Sequence, residues 1–445
     1  MKQHPSFVFY LLCSVSLCAQ ITTADKQQKI DEFINYLEQN NQLIGSIAIN
    51  ENGKSVYSNT FGYKNIPASE APAANEQYQI GSISKMVTAV ILAKLQEDGK
   101  LKFSDKLAAY FPKMSGANSI TLTQMLNHTS GMQDYLIRND TVTDWLIQPQ
   151  TQKDLLEEIK RQGLAFEPGT DSQYSNSAYY LLARIVEKVT KMHYADALKK
   201  YITTPLKMEN TRAYRKDSRF TGVAQAYQKI GGEWTAIEDF HFYNASGVGD
   251  ILSTPADLNM FMNALSGGKI IKPESLKAML PVGKEPFGMG IMTVPFYNII
   301  GYGHGGDTLG THSVTSFLDV YDMSISYTVN GQDYGTNDFA IGVLSILFDK
   351  EFKYPEFTSY VATTLATYDD YVGVYKNPQF PLDITITNMG TYLQAQGKGQ
   401  PSFPLTQTGE KTFVFKDANL TIVFNPEENN IALTQNGYEV TMTRD

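Results

Sequence analysis

The stretch Gln79–Lys85, with the sequence Gln-Ile-Gly-Ser-Ile-Ser-Lys, places Ser82 three residues before Lys85 at the start of an apolar segment. Residues three apart on a helix share one face, so this spacing puts the lysine beside the serine hydroxyl. A hydroxyl is a weak nucleophile until a nearby group takes its proton. The free N–H groups of a first helical turn would also face an anion forming at the serine. The helix is indicated by apolar residues at helical spacing, namely Val87, Val90, Ile91 and Leu95.

The Ser-x-x-Lys spacing alone is weak evidence, because average composition gives about one or two chance matches in a chain of this length. Ser266 and Lys269 have the same spacing. They lie in a Gly-Gly loop after a predicted helix, where nothing fixes the lysine beside the serine. A simple N-cap role is the alternative for Ser82.

Two further segments carry polar groups suited to such a site. Tyr174–Asn176 (Tyr-Ser-Asn) leads into an apolar helix, and loops on rigid scaffolds commonly present catalytic groups. The alternative is an ordinary helix-entry turn with Asn176 as the cap. His304–Asp307 (His-Gly-Gly-Asp) lies in a predicted strand, where glycines usually mark close approach of a ligand or another backbone. A Gly-rich bulge with a structural histidine is the alternative there.

Together with Leu126–Gly131 (Leu-Asn-His-Thr-Ser-Gly) and Glu167–Gly169 (Glu-Pro-Gly), these segments resemble the signatures of the serine β-lactamase and penicillin-binding-protein superfamily. The resemblance covers residues 25–350. It is to the branch that includes class C β-lactamases, D-Ala-D-Ala carboxypeptidases, D-aminopeptidases and related esterases. It implies a serine hydrolase of the α+β class, with an antiparallel sheet and a helical domain.

The resemblance also implies a role for each site residue. Ser82 would attack a carbonyl to give an acyl-enzyme, and Lys85 with Tyr174 would move its proton. Either Lys85 or Tyr174 could be the base, since both need a lowered pKa to act at neutral pH. Backbone N–H groups of Ser82 and Asp307 would form the oxyanion hole, and Asn176 would hold the substrate amide. The substrate-binding set would be Asn176, His304, Gly305, Gly306 and Asp307.

The segment that begins at His304 departs from the β-lactamases of this branch, which usually have Lys-Thr-Gly where this chain has His-Gly-Gly. That form is commoner in the branch's peptidases and esterases. We therefore expect a D-amino-acid peptidase or esterase acting on small peptides, amides or esters, cell-wall-derived ones included. A β-lactamase and a non-catalytic penicillin-recognising, cell-wall-binding protein are the alternatives.

Asp307 raises a question of charge in the cleft. An ionised carboxylate there would repel a substrate carboxylate. The alternative is that Asp307 points away and satisfies a neighbouring donor. His304, His312 and Asp307 are close in sequence, but the chain has no His-Glu-x-x-His helix. We expect no metal and no cofactor.

The composition limits partners and compartment. The net charge is −9, with no lysine–arginine cluster that could follow a phosphate backbone, so nucleic-acid binding is not expected. The apolar run Phe7–Leu17 precedes Cys18 and is too short to span a bilayer. Residues 1–19 are therefore interpreted as the signal peptide of a secreted or periplasmic protein. A lipoprotein anchor at Cys18 fits less well, because Leu17 is bulky. No later apolar stretch is long enough to cross a membrane.

A chain of 445 residues exceeds one ordinary hydrophobic core, which predicts two domains. Strand patterns at both ends of residues 20–353 and helical patterns between them predict a sheet interrupted by a helical insert. Residues 354–367 are interpreted as a linker. Seven short strands within residues 368–445 predict a small β-barrel, which resembles the lipocalin-like appendages of some of these hydrolases. The sequence does not indicate an oligomeric state.

Overall fold

The computed structural model describes residues 20–63, 72–73, 75–138, 141–142, 148–215, 222–230, 233–237, 241–283, 287–335, 337–357, 368–390, 392–398, 402–415 and 418–445. The predicted signal peptide and most of the predicted linker, residues 358–367, lie outside this part. No helix in these ranges is both long and apolar enough to cross a membrane.

A six-stranded antiparallel sheet joins the two ends of the first unit. Its first hairpin turns at Asn52 and Gly53, which both have positive φ, 52° and 69°, as Asn-Gly hairpins require. In sheet order the strands are Met292–Phe296 (β10), Ile299–Asp307 (β11), His312–Leu318 (β12), Met323–Gln332 (β13), Leu43–Glu51 (β1) and Lys54–Phe61 (β2).

One face of the sheet carries the helices Ala24–Gln39 (α1) and Asp338–Leu347 (α10). Thr23 caps α1 by accepting a hydrogen bond from the backbone N–H of Lys26. Phe33 of α1 stacks with Phe339 of α10, and both belong to the core between the helices and the sheet. These two helices cover the face of the sheet opposite the helical part.

The other face packs against the helical part that the sequence predicted between the two sets of strands. Residues 83–93 are buried without interruption, so the helix that begins after Ser82 is fixed within the core. The helices are Ile83–Glu97 (α2), Leu122–Leu126 (α3), Gln152–Gln162 (α4), Asn176–Thr190 (α5), Tyr194–Leu198 (α6), Thr204–Leu206 (α7), Pro255–Ser266 (α8) and Pro273–Met279 (α9).

The helical part also contains short strands that the sequence analysis did not predict. They are two to four residues long, which is too short for an alternating pattern to be read. One group forms a three-stranded sheet beside α2, in the order Tyr78–Gln79 (β3), Ile251–Ser253 (β9) and Arg212–Ala213 (β6). The others form two hairpins, Ile137–Arg138 (β4) with Thr141–Val142 (β5), and Tyr227–Ile230 (β7) with Glu233–Ala236 (β8).

The C-terminal strands close into an eight-stranded barrel, one strand more than the sequence predicted. The missed strand contains Pro404, which cannot donate a ladder hydrogen bond and so weakens the strand pattern. Phe413, Ile422 and Phe424 fill the interior. The strands are Gly373–Lys376 (β14), Ile384–Asn388 (β15), Leu393–Gly397 (β16), Ser402–Gln407 (β17), Thr412–Phe415 (β18), Leu420–Asn425 (β19), Asn430–Gln435 (β20) and Tyr438–Arg444 (β21).

The start of the predicted linker packs against α1. Tyr354 lies 5.6 Å from the ring of Phe33, and Phe357 lies 5.7 Å from the ring of Tyr36, centroid to centroid. The Tyr36 hydroxyl donates to the Pro355 carbonyl over 2.7 Å. We therefore propose that the first unit extends to Phe357 and that the barrel folds separately, which mapping of limited-proteolysis cuts would test.

Candidate active site

Ser82 and Lys85 are in direct contact at the start of α2. Ser82 occupies the N-cap position, but its side chain makes no capping hydrogen bond. Its Oγ lies 2.8 Å from Nζ of Lys85, which also lies 3.2 Å from the carbonyl oxygen of Val248. The alternative of a simple capping serine therefore does not describe this geometry.

The Lys85 ammonium is poorly stabilised by its surroundings. The side chain is fully buried, and this burial lowers the pKa of Lys85 from its usual 10.5 to about 7, against the opposing charge of Asp134. At neutral pH a substantial fraction of Lys85 is consequently unprotonated and able to accept a proton.

Tyr174 faces the same pair of groups. Its ring centroid lies 4.8 Å from Lys85 Nζ. Burial raises the pKa of Tyr174 above its usual 10, although the nearby Ser82 side chain acts in the other direction. The hydroxyl therefore stays protonated at neutral pH. Of the two bases that the sequence left open, the surroundings favour Lys85.

Asn176 is the first residue of α5, and Ser175 is the cap. The Ser175 hydroxyl accepts from the Ala178 N–H over 3.2 Å, so the alternative in which Asn176 caps the helix is not observed. The backbone N–H and the side-chain amide of Asn176 both donate to Oδ2 of Asp134, over 2.9 and 2.8 Å. Asp134 thus orients Asn176 at the site. Asp134 was not among the predicted site residues, because its partner lies far along the chain and no spacing connects the two.

Two glycines allow β11 to pass directly against the turn that carries Ser82. A Cβ on Gly81 would lie 2.9 Å from the backbone nitrogen of Asp307, and one on Gly306 would lie 2.8 Å from that of Ser82. The same Gly306 Cβ would lie only 2.0 Å from the Ile80 carbonyl oxygen. The backbone N–H groups of Ser82 and Asp307 are thereby neighbours, as an oxyanion hole requires.

His304 is buried on the side of β11 that faces the helical part. Its Nδ1 contacts the carbonyl oxygen of Gly305, and burial lowers the pKa of the imidazole to about 4, with the charge of Lys85 adding to this effect. His304 is therefore neutral at pH 7 and brings no positive charge to the site. Gly305 follows it, and a Cβ there would meet nothing closer than 3.8 Å.

The Asp307 side chain lies on the other face of the sheet. It is 73% exposed, and its Oδ1 lies 2.6 Å from Nδ1 of His312, the residue opposite it on β12. His312 Nε2 lies 3.3 Å from the hydroxyl of Tyr327, whose ring contacts Phe339 of α10. This geometry agrees with the alternative in which the Asp307 side chain points away from the cleft and satisfies a neighbouring donor, while the backbone nitrogen of Asp307 lies near the turn that carries Ser82. In the described ranges no group of three or more His, Cys, Asp or Glu side chains is placed to hold a metal ion.

Comparison with known proteins assigns the chain to a family. The family model described as Beta-lactamase matches residues 30–343. The chain belongs to the Beta-lactamase family. The similar proteins include a hydrolase, and this chain is a serine hydrolase of the β-lactamase fold, which confirms the predicted enzyme class and superfamily.

Three similar proteins show how far this β-lactamase-family likeness extends. The chain is 26% identical to Penicillin-binding protein 4* of Bacillus subtilis over 429 residues, which is 90% of this chain and 94% of that one. It is 24% identical to the Teichoic acid D-alanine hydrolase of Staphylococcus aureus over 315 residues, 69% and 75% of the two chains. The D-amino acid amidase of Ochrobactrum anthropi superposes with a TM-score of 0.64 at 21% identity, covering 73% and 99%. This last likeness confirms the predicted fold class.

Proposed function

We propose that this protein is a secreted hydrolase that cleaves D-aminoacyl amides or esters through an acyl intermediate on Ser82. One observation carries the proposal: Lys85 is fully buried with Nζ 2.8 Å from Ser82 Oγ, and its pKa is lowered to about 7. A nucleophile and a competent base are therefore in contact without any rearrangement.

In the acylation step, neutral Lys85 takes the proton of Ser82 as Oγ attacks the substrate carbonyl carbon. The carbonyl oxygen becomes an oxyanion held by the backbone N–H groups of Ser82 and Asp307. Collapse breaks the bond to the leaving amine or alcohol, which takes its proton from the Tyr174 hydroxyl. Lys85 then returns its proton to Tyr174, and Ser82 is left acylated.

Deacylation repeats the same chemistry with water as the nucleophile. Neutral Lys85 takes a proton from water, the hydroxide adds to the acyl carbon, and the same two N–H groups hold the second oxyanion. The bond between Ser82 Oγ and the acyl carbon then breaks, and Lys85 returns its proton to Oγ. This restores the free enzyme and releases the carboxylic acid. We assign Asn176, whose side-chain amide donates to Asp134, as a hydrogen-bond partner of the substrate amide.

The His-Gly-Gly segment that begins at His304 and the similar proteins named above support the substrate class. His304 is neutral, so residue 304 offers no fixed cation to a substrate carboxylate, unlike the Lys-Thr-Gly of β-lactamases. The similar proteins named above include an amidase for D-amino acids and a hydrolase for D-alanine on teichoic acid. Amides and esters without a carboxylate beside the scissile bond therefore suit this site best.

Paired chromogenic substrates test the proposal. We expect D-alanine p-nitroanilide and the p-nitrophenyl ester of D-alanine to be cleaved faster than their L-isomers and faster than a chromogenic cephalosporin. Mass spectrometry of the acid-quenched enzyme should find the acyl group on the peptide that contains Ser82. A preference for the cephalosporin would favour the β-lactamase alternative, and an acyl group on another residue would exclude Ser82 as the nucleophile.

The pH dependence of kcat/KM follows from the protonation state of Lys85. Because the neutral amine is the active form and its pKa is about 7, we expect kcat/KM to rise about tenfold per pH unit below pH 7 and to level off above it. Tyr174 stays protonated across this range. The measurement is kcat/KM for a non-ionising ester between pH 5 and 9, with thermal unfolding followed over the same range as the control. A profile that is flat through pH 7 would show that Lys85 is not the base.

Secretion is the remaining part of the proposal. It is supported by the short apolar run Phe7–Leu17, which is followed by Cys18 and Ala19. The intact mass of the protein from the producing cell tests it. A mature chain that begins at Gln20 agrees with cleavage after Ala19, whereas a lipid on Cys18 would show anchoring instead.

A further inference from the structure

His128, within the segment Leu126–Gly131, lies directly against Tyr174. His128 is 2% exposed and lies against the loop that enters α5. Its ring stacks on the ring of Tyr174, with centroids 4.3 Å apart and planes inclined by 26°. Phe287 closes the same cluster, 5.0 Å from His128 and 5.7 Å from Tyr174. Tyr174 therefore has an aromatic partner directly against its ring.

His128 also bonds to the residues on both sides of Tyr174. Its carbonyl oxygen accepts from the Gln173 N–H over 2.9 Å, and its Nδ1 accepts from the Ser175 N–H over 3.1 Å. One residue thus fixes the backbone before Tyr174, the backbone after it and the plane of its ring. No element of secondary structure fixes Gln173 and Tyr174, since α5 begins only at Asn176.

The chemistry of imidazole suits this arrangement. Nδ1 can accept a hydrogen bond only in the neutral ring, and burial lowers the pKa of His128 well below its usual value, with the charge of Lys85 in the same direction. The backbone of His128 is left-handed, with φ of +63°. A non-glycine residue adopts this conformation at a cost, which the surrounding contacts must offset.

We propose that His128 is a positioning residue for Tyr174, which holds the phenol hydroxyl at Ser82 through one ring contact and two flanking hydrogen bonds. The inference rests on the proposed function, because it assigns Tyr174 the protonation of the leaving group. Without His128 the hydroxyl is displaced while Ser82, Lys85 and the oxyanion hole stay in place.

Two substitutions separate the contacts. His128→Asn keeps a side-chain acceptor at the position of Nδ1 and tolerates positive φ, but it removes the ring. His128→Phe keeps a ring but leaves the buried Ser175 N–H without an acceptor. We expect each to lower kcat for D-alanine p-nitroanilide, whose amine must be protonated to leave, about tenfold or more while KM changes less than about threefold.

A matched control exists elsewhere in the chain. His193 is the N-cap of α6. Its Nδ1 also accepts a hydrogen bond from a backbone N–H, that of Ala195, over 3.2 Å. We expect His193→Asn to cost a similar part of the thermal stability and to leave kcat and KM unchanged.

A double-mutant cycle distinguishes positioning from a merely structural role. In a Tyr174→Phe background there is no hydroxyl to place, so His128→Asn should change kcat for D-alanine p-nitroanilide less than about twofold. Labelling of Ser82 by a fluorophosphonate, whose fluoride leaves without a proton, reports the nucleophile separately and should change little in the His128 variants. An equal loss in both backgrounds, a change in KM alone, or full activity of both His128 variants would overturn the inference. If the Ser82→Ala variant were labelled as fast as the wild type, the proposed function would be overturned instead.

Discussion

Replacing Ser82 by alanine is expected to abolish turnover, with a loss on the order of 10⁴-fold or more, because it removes the hydroxyl that contacts Lys85 and forms the acyl intermediate. The fold should survive the change. Lys85 keeps its contact with the Val248 carbonyl, and the Ser82 side chain makes no capping bond that the substitution could remove. Steady-state kinetics and thermal unfolding of the purified variant give both answers.

Ser266→Ala is the matched control, since Ser266 and Lys269 repeat the Ser-x-x-Lys spacing. Ser266 is the last residue of α8 rather than part of the following loop, and its hydroxyl donates to the Asn263 carbonyl over 3.3 Å. We expect this variant to keep the wild-type kcat/KM. Equal losses from the two changes, or activity that survives without Ser82, would contradict the assignment.

Gly306→Ala is expected to lower kcat by about 100- to 1,000-fold, the loss found when one oxyanion-hole donor is removed. A Cβ at this position would meet the Ile80 carbonyl oxygen at 2.0 Å and the Ser82 nitrogen at 2.8 Å. Both are backbone atoms, so the clash can be relieved only by moving β11 away from the turn. The distance between the two N–H donors would then increase. Measurement of kcat and KM should show that the loss is mainly in kcat.

Gly305→Ala provides the comparison for this prediction, because it adds the same methyl group on the same strand. The added Cβ would meet nothing closer than the Ser313 carbonyl oxygen at 3.8 Å. We expect a loss at least tenfold smaller than that of Gly306→Ala. Similar losses from both variants would mean that the strand, and not its approach to Ser82, is what the methyl group disturbs.

The nucleophile and its partner were predictable because their relation is local. A spacing of three positions on one helix fixes the distance between Ser82 and Lys85, whatever the rest of the fold is. The choice between Lys85 and Tyr174 as the base was not predictable, since it depends on burial by residues that are distant in sequence. Asp134 escaped for the same reason, because it reaches Asn176 only through the tertiary fold.

The choice between the two orientations that the sequence analysis left open for Asp307 could have been made from the strand alone. Side chains alternate between the two faces of a strand, so residues 304 and 307, three apart, must point to opposite faces. Once His304 was assigned to the cleft, the Asp307 side chain belonged on the face of α1 and α10. The eighth barrel strand was harder to predict, because Pro404 breaks the pattern and the pairing with β16 shows only in the closed barrel.

The pairing of β1 with β13 has a consequence for how the chain reaches its native state. Leu43 lies opposite Gln332, and the whole helical part intervenes between these two residues. Contacts so distant in sequence raise the contact order, and closing such a long loop is slow. β1 is buried along its full length, so an apolar strand edge is left without its partner until the last strand of the sheet has been synthesised. Nascent chains that end before β13 should therefore aggregate, and refolding from denaturant should be limited by the arrival of this last strand.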